Sequence, residues 1–375
     1  MSSSESLTVA TAVSSVLDVV GRSPKKVHYT QGIAHPERLL WDAWSIKIDD
    51  TLHLFTLSIP RFDEQGMPIH PDDRNNHPFT IWHFESQDAA ITWQDLGPHR
   101  VPDSKAVYQA GNVWSGSIDR IGGRLLEAYT GIELADSAHP FIQSLYVSTL
   151  DENFAAKNDI CISSASRDYE TILEAGYYLQ PRDQLGSIDG EEGGNITAWR
   201  DPFVFSDPSG DFVCFAAKQS VSEAALGMGV LGVDASTLTL LPPISVADAH
   251  QFTQLEVPKI VFVKHIGLYL LICATTNRIS EQQPAADVEH SIRLYSATNI
   301  DGPWQPAGRE TSVIGGVDHL FGATILDVDE QSNRLLCLAP YTAQAQEDRA
   351  LTFAPRFFID LSQLGEADQL TAIFD

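Results

Sequence analysis

Positive charge is scarce in this sequence: 24 lysine and arginine residues stand against 50 aspartates and glutamates, a formal net charge of −26. A surface of that sign repels nucleic-acid phosphates and anionic lipid, so neither is expected as a partner. It favours solubility and suits a neutral small molecule. Cysteine is sparse as well. Cys161, Cys214, Cys273 and Cys337 lie far apart, with no C-x-x-C pair and no histidine at zinc-finger spacing. The last three fall inside apolar runs and read as buried free thiols, so neither a disulfide framework nor a cysteine-rich metal site is expected. No metal site and no cofactor is assigned. No apolar run reaches the length of a membrane span. The Ser- and Ala-rich start, Met1 to Val20, lacks the basic segment, apolar core and cleavage site of a secretory signal. Residues 1–26 read as a tail ahead of a single domain over 27–375, in a protein that is cytoplasmic or exported without a recognisable signal.

Long amphipathic helices are missing too. Only Ser220 to Leu226 and the residues around Pro284 to Val288 suggest short turns of helix. Without βαβ alternation, Rossmann and TIM-barrel folds are disfavoured. Short β-branched and aromatic runs recur instead, among them His53–Ser58, Thr80–Phe84, Leu125–Thr130, Ile142–Ser148, Phe212–Ala216, Lys259–Val263, Leu268–Cys273, Ile292–Ser296 and Arg334–Leu338. Gly, Pro, Asp and Asn cluster between them, and Asp207-Pro-Ser-Gly-Asp211 is a hairpin signal. An apolar fraction of 43% supports a sizeable core. The fold class is therefore all-β: a sandwich, a barrel, or a propeller with divergent blades, since no exact repeat is visible.

Three acidic residues stand at the expected entrances to strands. Asp42, in Leu40-Trp41-Asp42-Ala43-Trp44, sits between two indoles, where a carboxylate normally has a reason to be; the alternative is a turn cap beside two core tryptophans. Asp201, in Trp199-Arg200-Asp201-Pro202, has a guanidinium on one side and a φ-locking proline on the other. That environment favours an ionised carboxylate aimed at a ligand, or a strand-starting turn with a surface ion pair. Glu256, in Gln254-Leu-Glu256-Val-Pro258-Lys259, has apolar neighbours that would raise its pKa as a general acid requires, unless it faces solvent on an edge strand. A fourth stretch, Gly111-Asn-Val-Trp114-Ser115-Gly-Ser117, reads as a tight turn presenting a hydroxyl beside an aromatic, or simply as a strand-linking turn. A propeller would gather such strand starts around its axis, and two carboxylates across one bond suit glycoside cleavage.

Trp41-Asp42, Trp114-Ser-Gly-Ser117, Arg200-Asp201-Pro202 and Glu256-x-Pro258 occur in the order and rough spacing of the levansucrase family, glycoside hydrolase family sixty-eight, which the sequence resembles from about Glu37 to Ala339. The invertase family of the same clan is a more distant match. The resemblance implies a five-bladed β-propeller with a central funnel-shaped active site and sucrose as substrate. It implies Asp42 as the nucleophile, Asp201 as the non-covalent stabiliser of the fructosyl unit and Glu256 as the acid and base. Trp41, Trp114, Ser115 and Arg200 match positions lining the sucrose site. Gln254 fits a position that is polar or acidic in relatives, and Arg278 a basic one facing the glucose unit. Val257 departs from the family's usual arginine, which shifts the expectation from long levan toward hydrolysis and short oligosaccharides. Alternatives are a propeller glycosidase for another β-fructofuranoside or a pentoside, and a non-catalytic sugar-binding propeller.

Other motifs point to structure. Gly227-Met-Gly-Val-Leu-Gly232 fits G-x-G-x-x-G without the strand and helix that motif needs, and reads as a glycine-rich strand. The segment from His70 to His77 reads as a solvated loop.

Overall fold

The computed structural model describes residues 28–102, 112–133, 139–187, 195–280, 282–346 and 348–375. The tail expected over 1–26 lies outside them, as does Gly111. Among the described residues the strands form five antiparallel sheets, each a nearly contiguous stretch of chain. Blade I holds β1 (His28–Thr30), β2 (Arg38–Ile48), β3 (Thr51–Pro60), β4 (Thr80–Ser86) and β5 (Thr92–Arg100), ordered β2-β3-β4-β5-β1. Blade II follows with β6 (Asn112–Ile121), β7 (Arg124–Glu133), β8 (Ile142–Leu150) and β9 (Ala156–Ser164). Blade III has β10 (Arg200–Asp207), β11 (Gly210–Ser220), β12 (Glu223–Leu231) and β13 (Leu238–Leu240). Blade IV has β14 (Gln254–Val263), β15 (Leu268–Thr276), β16 (His290–Ala297) and β17 (Gln305–Pro306). Blade V has β18 (Thr324–Asp329), β19 (Arg334–Leu338), β20 (Phe357–Asp360) and β21 (Ala372–Phe374).

Five apolar clusters fill the five gaps between successive blades. Trp44 and Phe55 meet Val113 and Tyr129 between blades I and II, and Leu126 and Val147 meet Val204 and Phe215 between II and III. Cys214 and Met228 meet Leu255 and Leu271 between III and IV, and Leu270 and Leu294 meet Leu335 and Phe357 between IV and V. Leu326 and Leu338 meet Leu40 and Trp93 across the last gap, which closes the ring. The molecule is a five-bladed β-propeller. Because both faces of each middle strand are covered, such strands as β7 and β8 are buried almost throughout, and their sequences read as apolar runs with little alternation.

Polar contacts reinforce the gaps. At the blade V–I seam Ile33 and Phe353 exchange backbone hydrogen bonds of 3.1 and 3.0 Å, and Leu40 N–H donates to Leu351 O at 2.8 Å. Between blades I and II, Arg100 on β5 donates to the fully buried Glu127 on β7 (Nη2 to Oε2, 2.5 Å), and His99 Nε2 lies 2.8 Å from the other carboxylate oxygen. The Arg100 guanidinium and the hydrogen bonds from Arg100 and His99 together outweigh burial and hold Glu127 down to about 2.

All nine strand runs read from the sequence fall in strands, and the Asp207–Asp211 hairpin joins β10 to β11 with Asp207 opposite Gly210. The short turn near Pro284 is a 3₁₀ turn, Ala285–Asp287. Helix is absent at Ser220 to Leu226, where the chain turns from β11 into β12 with Ser220 opposite Glu223. The reason is tertiary. Gly227 packs so closely on the Phe215 ring that a β-carbon would lie 2.2 Å from it, and the glycine-rich run is strand β12 as expected. A short α-helix at Tyr169–Glu174, between β9 and β10, carried no clear sequence signal.

Candidate active site

The innermost strands β2, β6, β10, β14 and β18 run side by side around the axis, and each carries a β-bulge. On β2, Trp41 faces Leu57 and Ala43 faces Thr56, leaving Asp42 as the extra residue. On β6 the extra residue is Ser115, between Trp114 and Gly116. On β10 and β14 the irregularity spans Asp201-Pro202 and Val257-Pro258, and on β18 it holds Leu326. A bulged residue leaves the ladder and its side chain is re-aimed, and a proline there forfeits no pairing bond. The candidate residues are thus inside the first strands rather than ahead of them. The Trp114 stretch is a bulged strand, not a turn, because β7 pairs with it along its length. Asp201 and Val257 adopt positive φ of 58° and 44°, uncommon for residues with side chains and for a β-branched residue an outlier.

Asp42, Asp201 and Glu256 converge on one cavity of about 430 Å³. Ser115 Oγ donates to Asp42 Oδ2 at 2.6 Å, a charge-assisted bond that fixes the carboxylate. Asp201 is buried: its Oδ2 accepts from Val257 N–H at 3.0 Å, and its own N–H donates to Thr130 Oγ1 at 2.8 Å. Arg200 lies between two carboxylates, Nε 3.7 Å from Asp201 Oδ2 and Nη2 3.8 Å from Glu256 Oε1, and is anchored by Nη1 donating to Thr197 O at 2.6 Å. The guanidinium beside Asp201 was expected to keep it readily ionised. Burial outweighs it and, with Asp42 adding repulsion, pushes Asp201 up to about 6. The carboxylate is still ionised at neutral pH. Glu256 is partly exposed to the cavity, its side chain 22% accessible.

One wall is aromatic. Trp41 meets Phe79 edge-on at 4.8 Å, and Phe79 stacks on Trp114 at 6.3 Å. Of the residues singled out in the sequence, Trp41, Asp42, Trp114, Ser115, Arg200, Asp201, Glu256 and Arg278 all line the cavity. Gln254 does not. It is buried behind the wall, where its Nε2 donates to Arg278 O at 3.2 Å and so supports that segment.

Several lining residues gave no sequence signal. Phe321, Tyr341 and Gln344 come from loops around blade V, and Asp72, Arg74 and Asn75 from a 3₁₀ turn, Pro71–Asn76. That turn is largely exposed, as the loop reading expects, yet it also forms the cavity mouth, with Gln344 Nε2 donating to Asp72 Oδ1 at 3.3 Å. A second cavity of about 440 Å³ adjoins the first, sharing Arg278, His290, Thr342 and Gln344. Lys259, buried near the carboxylates, was also missed.

Three carboxylates of unequal exposure, an aromatic wall and a fixing hydroxyl can together support nucleophilic and acid–base chemistry on a neutral ligand. No family model matches the sequence, and no curated protein matches it. Solved structures do match. A substituted Bacillus subtilis levansucrase in complex with oligosaccharides aligns with a TM-score of 0.63 at 14% identity, over 96% of this chain and 92% of that one. An inulosucrase from Halalkalicoccus jeotgali bound to kestose gives 0.63 at 17% identity over 94% and 92%. A Bacillus megaterium levansucrase variant gives 0.64 at 15% identity over 95% and 92%. This chain therefore shares the five-bladed propeller fold of levansucrases and of an inulosucrase.

Proposed function

We propose that the protein is a retaining fructosyl-transferring glycosidase acting on sucrose, releasing glucose and passing fructose to water or to an acceptor sugar. The observation that carries this reading is the convergence of Asp42, Asp201 and Glu256, from three different blades, on one cavity walled by Trp41, Phe79 and Trp114. In the proposed reaction Asp42, held by Ser115, attacks the anomeric carbon of the fructosyl unit while Glu256 protonates the departing glucose oxygen. A fructosyl-Asp42 ester forms and the glycosidic bond breaks. Glu256, now a carboxylate, takes the proton from water or an acceptor hydroxyl, whose oxygen then displaces Asp42. Asp201, ionised above about pH 6, faces the positive charge that develops on the ring and is not bonded to it. Arg200, between Asp201 and Glu256, holds the two carboxylates in register. The fold's similarity to levansucrases and to an inulosucrase bound to kestose supports a sugar substrate.

The test is incubation with sucrose, measuring released glucose against free fructose. Equal amounts indicate hydrolysis, and a fructose deficit indicates transfer. Asp42→Ala, Asp201→Ala and Glu256→Gln are each expected to lower cleavage by about 10³-fold or more with the fold intact. Near-normal glucose release from any of them removes that residue from the mechanism. Inactivity of the unaltered protein on sucrose, with turnover of another fructoside or an arabinoside, rejects the substrate.

A further inference from the structure

Lys259 is only 3% exposed, and burying an ammonium is costly unless it is paired and hydrogen-bonded. Its Nζ donates to Val257 O at 3.0 Å, and Val257 N–H donates to Asp201 Oδ2 at 3.0 Å. Val257 is thus held at both ends of its backbone, in a left-handed conformation that a β-branched residue adopts only when its surroundings impose it. A β-carbon at Gly322 would lie 3.3 Å from Val257 Cγ2 and 3.2 Å from Asp42 Oδ1, so Val257 and Asp42 adjoin the same glycine. Five groups from the elements around it lie within electrostatic reach of the ammonium: Asp42 on β2, Asp201 on β10, and the thiols Cys214 on β11, Cys273 on β15 and Cys337 on β19. Burial pushes all three thiols up, so they are neutral at pH 7. Of these five, only Asp42 and Asp201 carry negative charge. Arg200 is the other cation beside Asp201.

We propose that Lys259 is a positioning residue of the active site, whose ammonium clamps the Val257 bulge from beneath and compensates the charge of Asp42 and Asp201 so that both can be ionised together. The assignment rests on the roles given above to those two aspartates. A net charge of −26 makes such an internal cation the more useful, since the surrounding field disfavours every additional carboxylate. Burial lowers the ammonium to about 8, with Asp42 and Asp201 acting in the opposite direction, so it is charged at neutral pH.

Two variants separate the clamp from the charge. Lys259→Met removes both, and Lys259→Gln keeps a donor for Val257 O without the cation. On sucrose at pH 7, Lys259→Met is expected to lose about 100-fold in kcat while KM changes less than about threefold. In both variants the acid limb of the kcat/KM profile is expected to move up by about one pH unit, because the carboxylates lose a favourable charge. A limb unmoved in a folded variant, or kcat/KM within about threefold of the unaltered protein, overturns the proposal. Thermal melting supplies a readout independent of turnover. Protonating Asp201 relieves an uncompensated charge, so Lys259→Gln should gain more stability between pH 7 and pH 5 than the unaltered protein does. Equal gains overturn the proposal, and this comparison decides it if Lys259→Met does not fold. If the unaltered protein fails to cleave sucrose, the substrate is rejected while melting still judges Lys259.

Discussion

A methyl group at Gly322 tests how closely the cavity floor is built. Gly322 has a φ of 61°, and a β-carbon there would lie 3.2 Å from Asp42 Oδ1 and 3.3 Å from Val257 Cγ2. Gly267 is a matched control: its φ is 67°, and a β-carbon would meet nothing within 4 Å. Gly267→Ala therefore carries only the left-handed backbone cost, about 1 kcal/mol. Gly322→Ala carries the same cost and must also push the Asp42 carboxylate or Val257 aside by a few tenths of an ångström, about 1 kcal/mol more where neighbours resist. At about 2 °C per kcal/mol the two variants should melt about 2 and 4 °C below the parent. Activity separates them further. Misplacing a reacting group by about 1 Å can cost about 100-fold, so a displacement of a few tenths is expected to lower kcat about 10-fold in Gly322→Ala and leave Gly267→Ala unchanged. Melting scans and initial rates of glucose release from sucrose read both quantities. If the two variants have the same kcat, the floor yields freely and Gly322 does not set the position of Asp42.

Ser115→Ala removes the 2.6 Å donor to Asp42. The loss of a charge-assisted bond, about 1.5–3 kcal/mol, should lower kcat/KM about 10- to 100-fold, which steady-state rates of glucose release read. Because Asp201 is pushed up to about 6, cleavage of sucrose should fall as pH drops through that value. For stability the sign is opposite: the folded state holds that proton more tightly than the unfolded chain, so the contribution of Asp201 worsens as pH rises from about 4 to about 6, and Asp201→Asn should flatten melting across that window. Glu127→Gln replaces the charged acceptor of Arg100 and His99 by a neutral amide in a buried gap while Arg100 keeps Asp159 at 3.1 Å, and should cost about 1–3 kcal/mol in denaturant unfolding.

Much of the site was legible because its signals are local. A proline after Asp201 and another two residues after Glu256 mark places where the backbone leaves regular pairing, and paired tryptophans flank Asp42. The all-β texture was equally plain, since covered middle strands write themselves as apolar runs. What was not legible depends on partners distant in sequence. A bulge is a statement about register with a neighbouring strand, so Asp42 reads as a strand entrance and Ser115 as part of a turn, when both are extra residues within strands. The 3₁₀ turn at Pro71–Asn76 reaches the cavity only because the ring brings it opposite Gln344. Lys259 reads as an ordinary polar residue until three blades close around it.

The five bulges also bear on how this ring tolerates change. In a regular strand, moving a side chain from the propeller axis to a blade interface means shifting every residue behind it, and so dismantling an apolar gap. An extra residue breaks that linkage. Asp42, Ser115 and Asp201 hold positions that carry no ladder duty, while Leu326 occupies the equivalent place in blade V as one more packing residue. The bulges therefore act as interchangeable sockets on a fixed frame. Chemistry can be exchanged at the axis one residue at a time, and the blades behind need not repack.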